Sequence, residues 1–185
     1  MLFLLFELDG ERYALEATRI VEVLALAPVK SIPGAPPWLA GAIDRHGKPV
    51  PVIDVAQLAL GRAARRLRST RLVVVRYHTP DTPPDAPPDT GDTGDTGGTG
   101  GAGGAGGAAG RMLGLIVEHA TQTCRIDPAR FADSGIATPH ARWLGPVAGD
   151  ASGFVQWVDV RRMIDDDARA LLFPPAQPLP QAISG

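Results

Sequence analysis

The fold class that the sequence predicts is mainly β, arranged as two similar small barrels. Three observations predict it. Short β-branched and apolar runs alternate with Gly, Pro and Asp turn signals. Helix signals are confined to brief turns and one short C-terminal segment. The chain also echoes itself: Trp38-Leu39-Ala40-Gly41, a turn, a strand containing Val50, then Asp54-Val55 and Leu58 are followed by Trp143-Leu144-Gly145, a turn, a strand containing Val155, then Asp159-Val160 and Met163. Two barrels side by side would leave a cleft in which a partner element could dock. The 185 residues suffice for one domain with a sizeable core, or for two small barrels sharing one.

The elements follow in order. Phe3 to Leu8 predicts a strand, Asp9-Gly10 a turn, and Arg12 to Leu15 the returning strand. Glu16 to Arg19 is a brief helical turn, and Ile20 to Leu26 a strand interrupted by Glu22. Pro36 and Pro37 fix φ and start a helical turn through Trp38 and Leu39. Gly41 to Arg45 and Pro49 to Ile53 form a hairpin about Gly47-Lys48. Two prolines at alternate positions place the second of these strands at an edge or a bulge, because proline cannot donate to a ladder. Asp54 caps the next helical turn and Gly61 ends it. Arg62 to Arg71 is a basic connection, and Leu72 to Val75 a strand covered on both faces.

Residues 78–110 differ in kind, being Pro/Asp/Thr-rich and then almost entirely Gly, Ala and Thr. Such a segment buries too little apolar surface to offset its ordering entropy, and reads as a disordered insert in a β-hairpin. Strands are expected at Met112 to Val117, Ala120 to Ile126, Trp143 to Val147 and Phe154 to Val158, with Asp127 to Thr138 irregular. Asp159 opens a helical turn, and Asp165 to Asp167 lead a last helix at Ala168 to Phe173 that Pro174 and Pro175 stop. The expected organisation is one domain over 1–173, interrupted by 78–110, with a flexible tail at 174–185.

Composition and motifs argue against chemistry. A formal net charge of −2 gives no global case for nucleic acid. The single Cys124 excludes an internal disulfide and a cysteine-only metal cluster, fits a reducing, cytoplasmic setting, and reads as core. The run Met1 to Phe6 is ended too early by Glu7 and Asp9 for a signal peptide or a membrane span. Gly98, Gly100 and Gly103 satisfy G-x-G-x-x-G, but within a glycine tract that lacks the required strand and helix. His46, His78, His119 and His140 include no pair at the spacing of a helical metal site. Arg62, Arg65, Arg66, Arg68 and Arg71 read as a solvated loop or as an electrostatic contact for an acidic partner. Trp38, Trp143 and Trp157 read as packing residues. No catalytic residue, cofactor-binding residue or metal ligand is expected.

The ordered motifs carry a resemblance. Phe6-Glu7-Leu8-Asp9-Gly10-Glu11-Arg12-Tyr13-Ala14-Leu15, Ile20-Val21-Glu22-Val23, Ile32 to Ile43, Gly47 to Val55, Gly114-Leu115-Ile116-Val117-Glu118, Leu144-Gly145 and Val158-Asp159-Val160 together resemble the CheW-like coupling proteins of bacterial chemosensory pathways. The resemblance spans about Leu2 to Phe173, apart from the insert. It implies two SH3-like five-stranded barrels and no catalysis. It implies two partners: the regulatory domain of a CheA-type histidine kinase, and the cytoplasmic tip of a methyl-accepting chemoreceptor. It also implies a cytoplasmic protein recruited to membrane-associated receptor arrays without inserting in the membrane. By position, Val21, Glu22, Gly41, Asp44, His46 and Gly47 match stretches tied to these protein contacts. The family's Asn-Leu-Arg-Gly is here Asp44-Arg45-His46-Gly47, so an imidazole replaces a permanent guanidinium charge. That change argues against a conventional chemotaxis receptor partner, and the opening and the long insert resemble coupling proteins of alternative pathways, such as Wsp-type surface sensing or pilus chemosensory systems. The competing readings are a small-molecule-binding or a nucleic-acid-binding barrel module that uses the inter-barrel cleft.

Overall fold

The computed structural model describes residues 1–78, 111–135 and 141–174. Among them, ten strands form two five-stranded sheets. The strands are β1 (Leu2–Leu8), β2 (Glu11–Glu16), β3 (Ile20–Ala25), β4 (Leu39–Arg45), β5 (Lys48–Asp54), β6 (Arg71–Tyr77), β7 (Arg111–Val117), β8 (Gln122–Arg125), β9 (Leu144–Asp150) and β10 (Gly153–Val158). The first sheet has the order β8-β1-β2-β10-β9, and the second β3-β6-β7-β5-β4. The second sheet is therefore nested inside the first along the chain: β1 and β2 precede it, and β8 to β10 follow.

The two sheets share one plan. Each contains one parallel pair, β2 with β10 and β5 with β7, and its other pairs are antiparallel. Each is closed between its outer strands by the same device. Lys30, just past β3, exchanges two backbone hydrogen bonds of 2.9 Å with Ala42 on β4. Ala132, past β8, exchanges bonds of 2.8 and 2.9 Å with Val147 on β9. Closure in this way hides the edges that would otherwise template further pairing. The echo in the sequence is this shared plan. The Asp54 N–H donates to the Trp38 carbonyl at 2.9 Å, and the Asp159 N–H to the Trp143 carbonyl at 2.8 Å. Both carboxylates then cap the turn that follows, Asp54 accepting from Gln57 N and Asp159 from Arg161 N.

Several expectations are corrected in detail. The hairpin turn is His46-Gly47, with Arg45 opposite Lys48 and φ of 53° and 78°, so the expected Gly47-Lys48 turn lies one residue late. Positive φ at both central residues makes it the primed turn that matches strand twist. Strand β5 is internal rather than an edge, yet it pairs with β7 only from Val52 onward. Pro49 and Pro51 lie in the half paired with β4 alone, so the missing N–H groups face no second strand. Pro36 opens a single hydrogen-bonded turn to Leu39, not a helical one. Strand β8 is shorter than Ala120 to Ile126 because Ala120 is held by the Ser69 carbonyl instead. Helix α1 (Val55–Leu60) is ended by Gly61 at φ 68°, and α2 (Asp166–Leu172) is capped by Asp165. The expected insert at 78–110 falls, but for His78, outside the described residues; its flanks β6 and β7 pair in register from Arg71–Val117 to Tyr77–Arg111.

Three apolar clusters account for the packing. Phe3, Ala14, Ile126, Ala148 and Val155, with Cys124, Phe131 and Trp157 against them, fill the first barrel. Val52, Leu72 and Ile116 fill the second. The largest cluster joins both sheets, with Phe6, Leu8 and Leu15 from one and Ile53, Val73, Val75, Leu113 and Leu115 from the other. Beneath the surface, the seam between the barrels is packed with these side chains. Each barrel alone has too few residues to bury a stable core, and sharing the seam solves that problem.

Candidate functional site

The six expected contact residues lie in the second barrel, on β3 and on the β4–β5 hairpin. Strand β3 is an outer strand, and its register with β6 slips between Ile20 and Glu22, leaving Val21 as the extra residue of a bulge. A bulge bends a strand and re-aims its side chains. On the hairpin, the Asp44 carboxylate accepts the Gly47 N–H at 2.8 Å, locking the turn. Asp44, His46 and Gly47 are all exposed.

Arg45 ties the two strands together. Its Nε lies 3.3 Å from Glu22 Oε2, and its Nη1 lies 3.2 Å from the Met112 sulfur. Because β3 and β4 are opposite ends of the sheet order, this pair joins the barrel's edges and brings Val21 and Glu22 beside the turn. Arg45 belongs to the altered Asp44-Arg45-His46-Gly47 motif but lies outside the six contact residues that the resemblance implies. Its signal was present, since an arginine in a hairpin faces water unless an acidic strand residue such as Glu22 is within reach. Between the Glu22–Arg45 pair and the Lys30–Ala42 closure lies a groove of about 520 Å³. Leu24, Pro28, Ala42, Ile43 and Leu72 line it, with Asp44 and Gly47 at its rim. Val23 and Ile32 stand exposed on the flanking segments, at 44% and 45% of their free surface. An apolar trough with a charged rim suits a protein contact: apolar anchors supply affinity and rim charges set register.

Gly41 has a different part. Its φ is +139°, and an added Cβ would overlap the Lys30 carbonyl. It is buried at the closure, where it shapes the barrel that presents the groove.

The basic cluster is neither a bare solvated loop nor a wholly free contact surface. The Arg62 guanidinium bonds Glu118 Oε1 at 2.6 Å and Asp9 Oδ1 at 2.6 Å, and Arg65 adds Asp9 at 3.0 Å. Glu118 is fully buried. Burial alone would raise its carboxyl, but the bonds from Arg62 and the Arg65 backbone outweigh it and hold the carboxyl below its ordinary range. Asp9 is likewise lowered by its bond to Arg62. Arg66 and Arg68 are exposed.

The remaining candidates resolve as packing. Trp143 is buried at the seam, Trp38 packs on the same cluster, and Trp157 meets Phe3 and Phe131 at ring separations of 5.0 Å each. His119 takes a turn conformation at φ 48°, with Nδ1 3.3 Å from the Ser69 hydroxyl. Among the described residues, no group of three or more His, Cys, Asp or Glu side chains is placed to hold a metal ion. The glycine pattern at Gly98 to Gly103 and His140 lie outside the described residues.

Two closed five-stranded barrels with a shared seam, presenting an apolar groove beside a rigid turn, define a docking module of the β class. The family model described as the CheW-like domain matches residues 2–168, and the chain belongs to that family, whose members are adaptors or scaffolds of chemotactic signal transduction. Among solved structures, the scaffolding protein TtCheW from Thermoanaerobacter tengcongensis shares the fold at a TM-score of 0.66, with 18% identity over 90% of this chain and 89% of that one. No curated protein sequence matches the chain at a significant level. No helix among the described residues is long and apolar enough to cross a membrane.

Proposed function

We propose that this chain is a non-catalytic adaptor that couples the cytoplasmic tip of a methyl-accepting chemoreceptor to the regulatory domain of a CheA-type histidine kinase. It would work in the cytoplasm, recruited to membrane-associated receptor arrays. The support for this reading is membership of this family together with the groove lined by Leu24, Ala42, Ile43 and Asp44, beside the Glu22–Arg45 pair. A partner domain with an exposed apolar edge could pack against the β4–β5 hairpin and this groove, the apolar trough burying its anchors while Glu22 and Asp44 set register. His46 holds the place of the family's arginine, so a partner matched to this chain would need an acceptor or a donor for an imidazole rather than a carboxylate for a guanidinium fork.

The test is calorimetric titration with the kinase regulatory domain encoded beside this chain. Saturable one-to-one binding that weakens at least tenfold in Asp44→Arg is the expected result. Absence of binding up to about 1 mM, the bottom of the useful affinity range, in a folded protein would overturn the kinase half of the reading.

A further inference from the structure

The shared plan of the two barrels exposes one place where they differ in what covers them. In the second barrel, the cleft beside the Asp54 cap is occupied by the chain itself. The segment after α1 folds back, the Ala64 N–H donates to Asp54 Oδ2 at 2.8 Å, and Ala64 packs against both the seam and the barrel core. Arg62 and Arg65 pin that segment to Glu118 and Asp9. In the first barrel, the corresponding Asp159 has no described segment over it. A cavity of about 320 Å³ lies there instead.

The cavity is strongly cationic. Arg19, Arg142, Arg161 and Arg162 line it, against the carboxylates of Glu16 and Asp159 alone. Asp159 is engaged by Arg161 at 3.0 Å and by Arg162 at 3.7 Å, and also caps its turn. Glu16 reaches Arg19 only at 4.0 Å and also accepts from Thr18. Arg142 is exposed and makes no ion pair among the described residues. The floor is apolar, built from Leu144, Pro146, Trp157 and Val158. Guanidinium forks above an apolar floor select a ligand that carries both carboxylates and apolar side chains.

We propose that this cavity binds an extended acidic segment of a partner protein, which lies where residues 62–65 lie in the other barrel. Two independent observations point to a peptide rather than to a small anion. The equivalent site already accommodates passing main chain, and the floor offers apolar contacts that an inorganic anion would not use. The site shares no lining residue with the β3–β4 groove, so it does not depend on the adaptor reading of that groove.

The probe is a fluorescein-labelled peptide of alternating Glu and Leu, followed by anisotropy with the full chain, with an alternating Lys–Leu peptide and citrate beside it. Saturable binding of the acidic peptide is expected, weakened by salt and reduced at least tenfold in the double variant Arg142→Glu, Arg162→Glu. Arg142→Gln, a milder change at an exposed position, should reduce it severalfold with an unchanged melting curve, and stands in should the double variant not fold. Asp44→Arg, in the other groove, should leave it unchanged. Peptide binding indifferent to the arginine variants would overturn the proposal. So would absence of acidic-peptide binding up to about 1 mM, and so would saturable citrate binding in its place, which would mark a small-anion site.

Discussion

The two barrels repeat one architecture and cover it differently. In the second, the segment after α1 is drawn across the Asp54 cap and fastened by the Arg62–Glu118–Asp9 network. In the first, the turn after Asp159 leads into α2, and among the described residues no segment crosses the cap, which lies beside four arginines. Closure has the same form in both, a two-bond bridge between the outer strands. It is further braced in the second barrel by Arg45 on β4 reaching Glu22 on β3, and in the first by Arg130, past β8, whose Nη2 donates to the Gly149 carbonyl on β9 at 2.5 Å. The difference teaches that a repeated barrel supplies stability twice but need not supply function twice. One copy can fill its cleft with its own chain while the other keeps the cleft available.

The largest effect should come from unfastening the covered barrel. Arg62→Ala leaves the buried Glu118 carboxylate with only the Arg65 N–H donating to it, and stability should fall by more than in any variant below. Urea denaturation should show that loss, and a change below about 1 kcal/mol would mean the network does not hold the segment down. Next, Gly41→Ala should cost about 3 kcal/mol, because a Cβ there meets the Lys30 carbonyl and the φ of +139° is strained for any L side chain. The first barrel has Pro146 at the corresponding position, so the sensitivity should be confined to the second.

The caps sharpen the comparison directly. Asp54→Ala removes two acceptor bonds at a buried site, from Gln57 N and Ala64 N, and should cost about 2 kcal/mol. Asp159→Ala removes one backbone cap bond at a half-exposed site and should cost about 1 kcal/mol. Equal losses in thermal denaturation would erase the distinction between covered and open barrels.

Acid should act on the covered barrel as well. Glu118 titrates lower folded than unfolded, so its contribution to stability is present above the ordinary glutamate value near 4.5 and is lost as pH falls through the lower folded value. Denaturation midpoints measured from pH 7 to pH 3 should fall less steeply in Glu118→Gln than in the parent. The smallest effect is expected from replacing residues 79–110 by Asn-Gly. Loop closure entropy changes by only about 0.6 kcal/mol per doubling of length, so the melting temperature should hold or rise, and kinase-domain binding should persist.

Much of the fold was legible in the sequence. The strands announced themselves through β-branched runs, and Gly61, Asp54, Asp159 and Asp165 marked caps that the structure contains. The Trp–Asp echo marked the repeat. The candidate face was legible only in part. Asp44, His46 and Gly47 stood out as a turn, but nothing local linked them to Val21 and Glu22. The β3 bulge and the Arg45–Glu22 pair that unite them depend on register between strands far apart in the chain. The hairpin turn was misplaced by one residue because Gly47-Lys48 and His46-Gly47 both offer a glycine, and only the pairing of Arg45 with Lys48 decides between them.

The sequence by itself determined which segments are strands, where they turn and that the plan occurs twice, because periodicity, proline and glycine act through neighbouring residues. Tertiary structure alone decided how the copies are nested, which residues pack the seam between them, which arginines are consumed by Asp9 and Glu118, and which cap residues 62–65 cover. Those outcomes depend on contacts between residues tens of positions apart, whose partners are chosen by shape and charge once the sheets have closed.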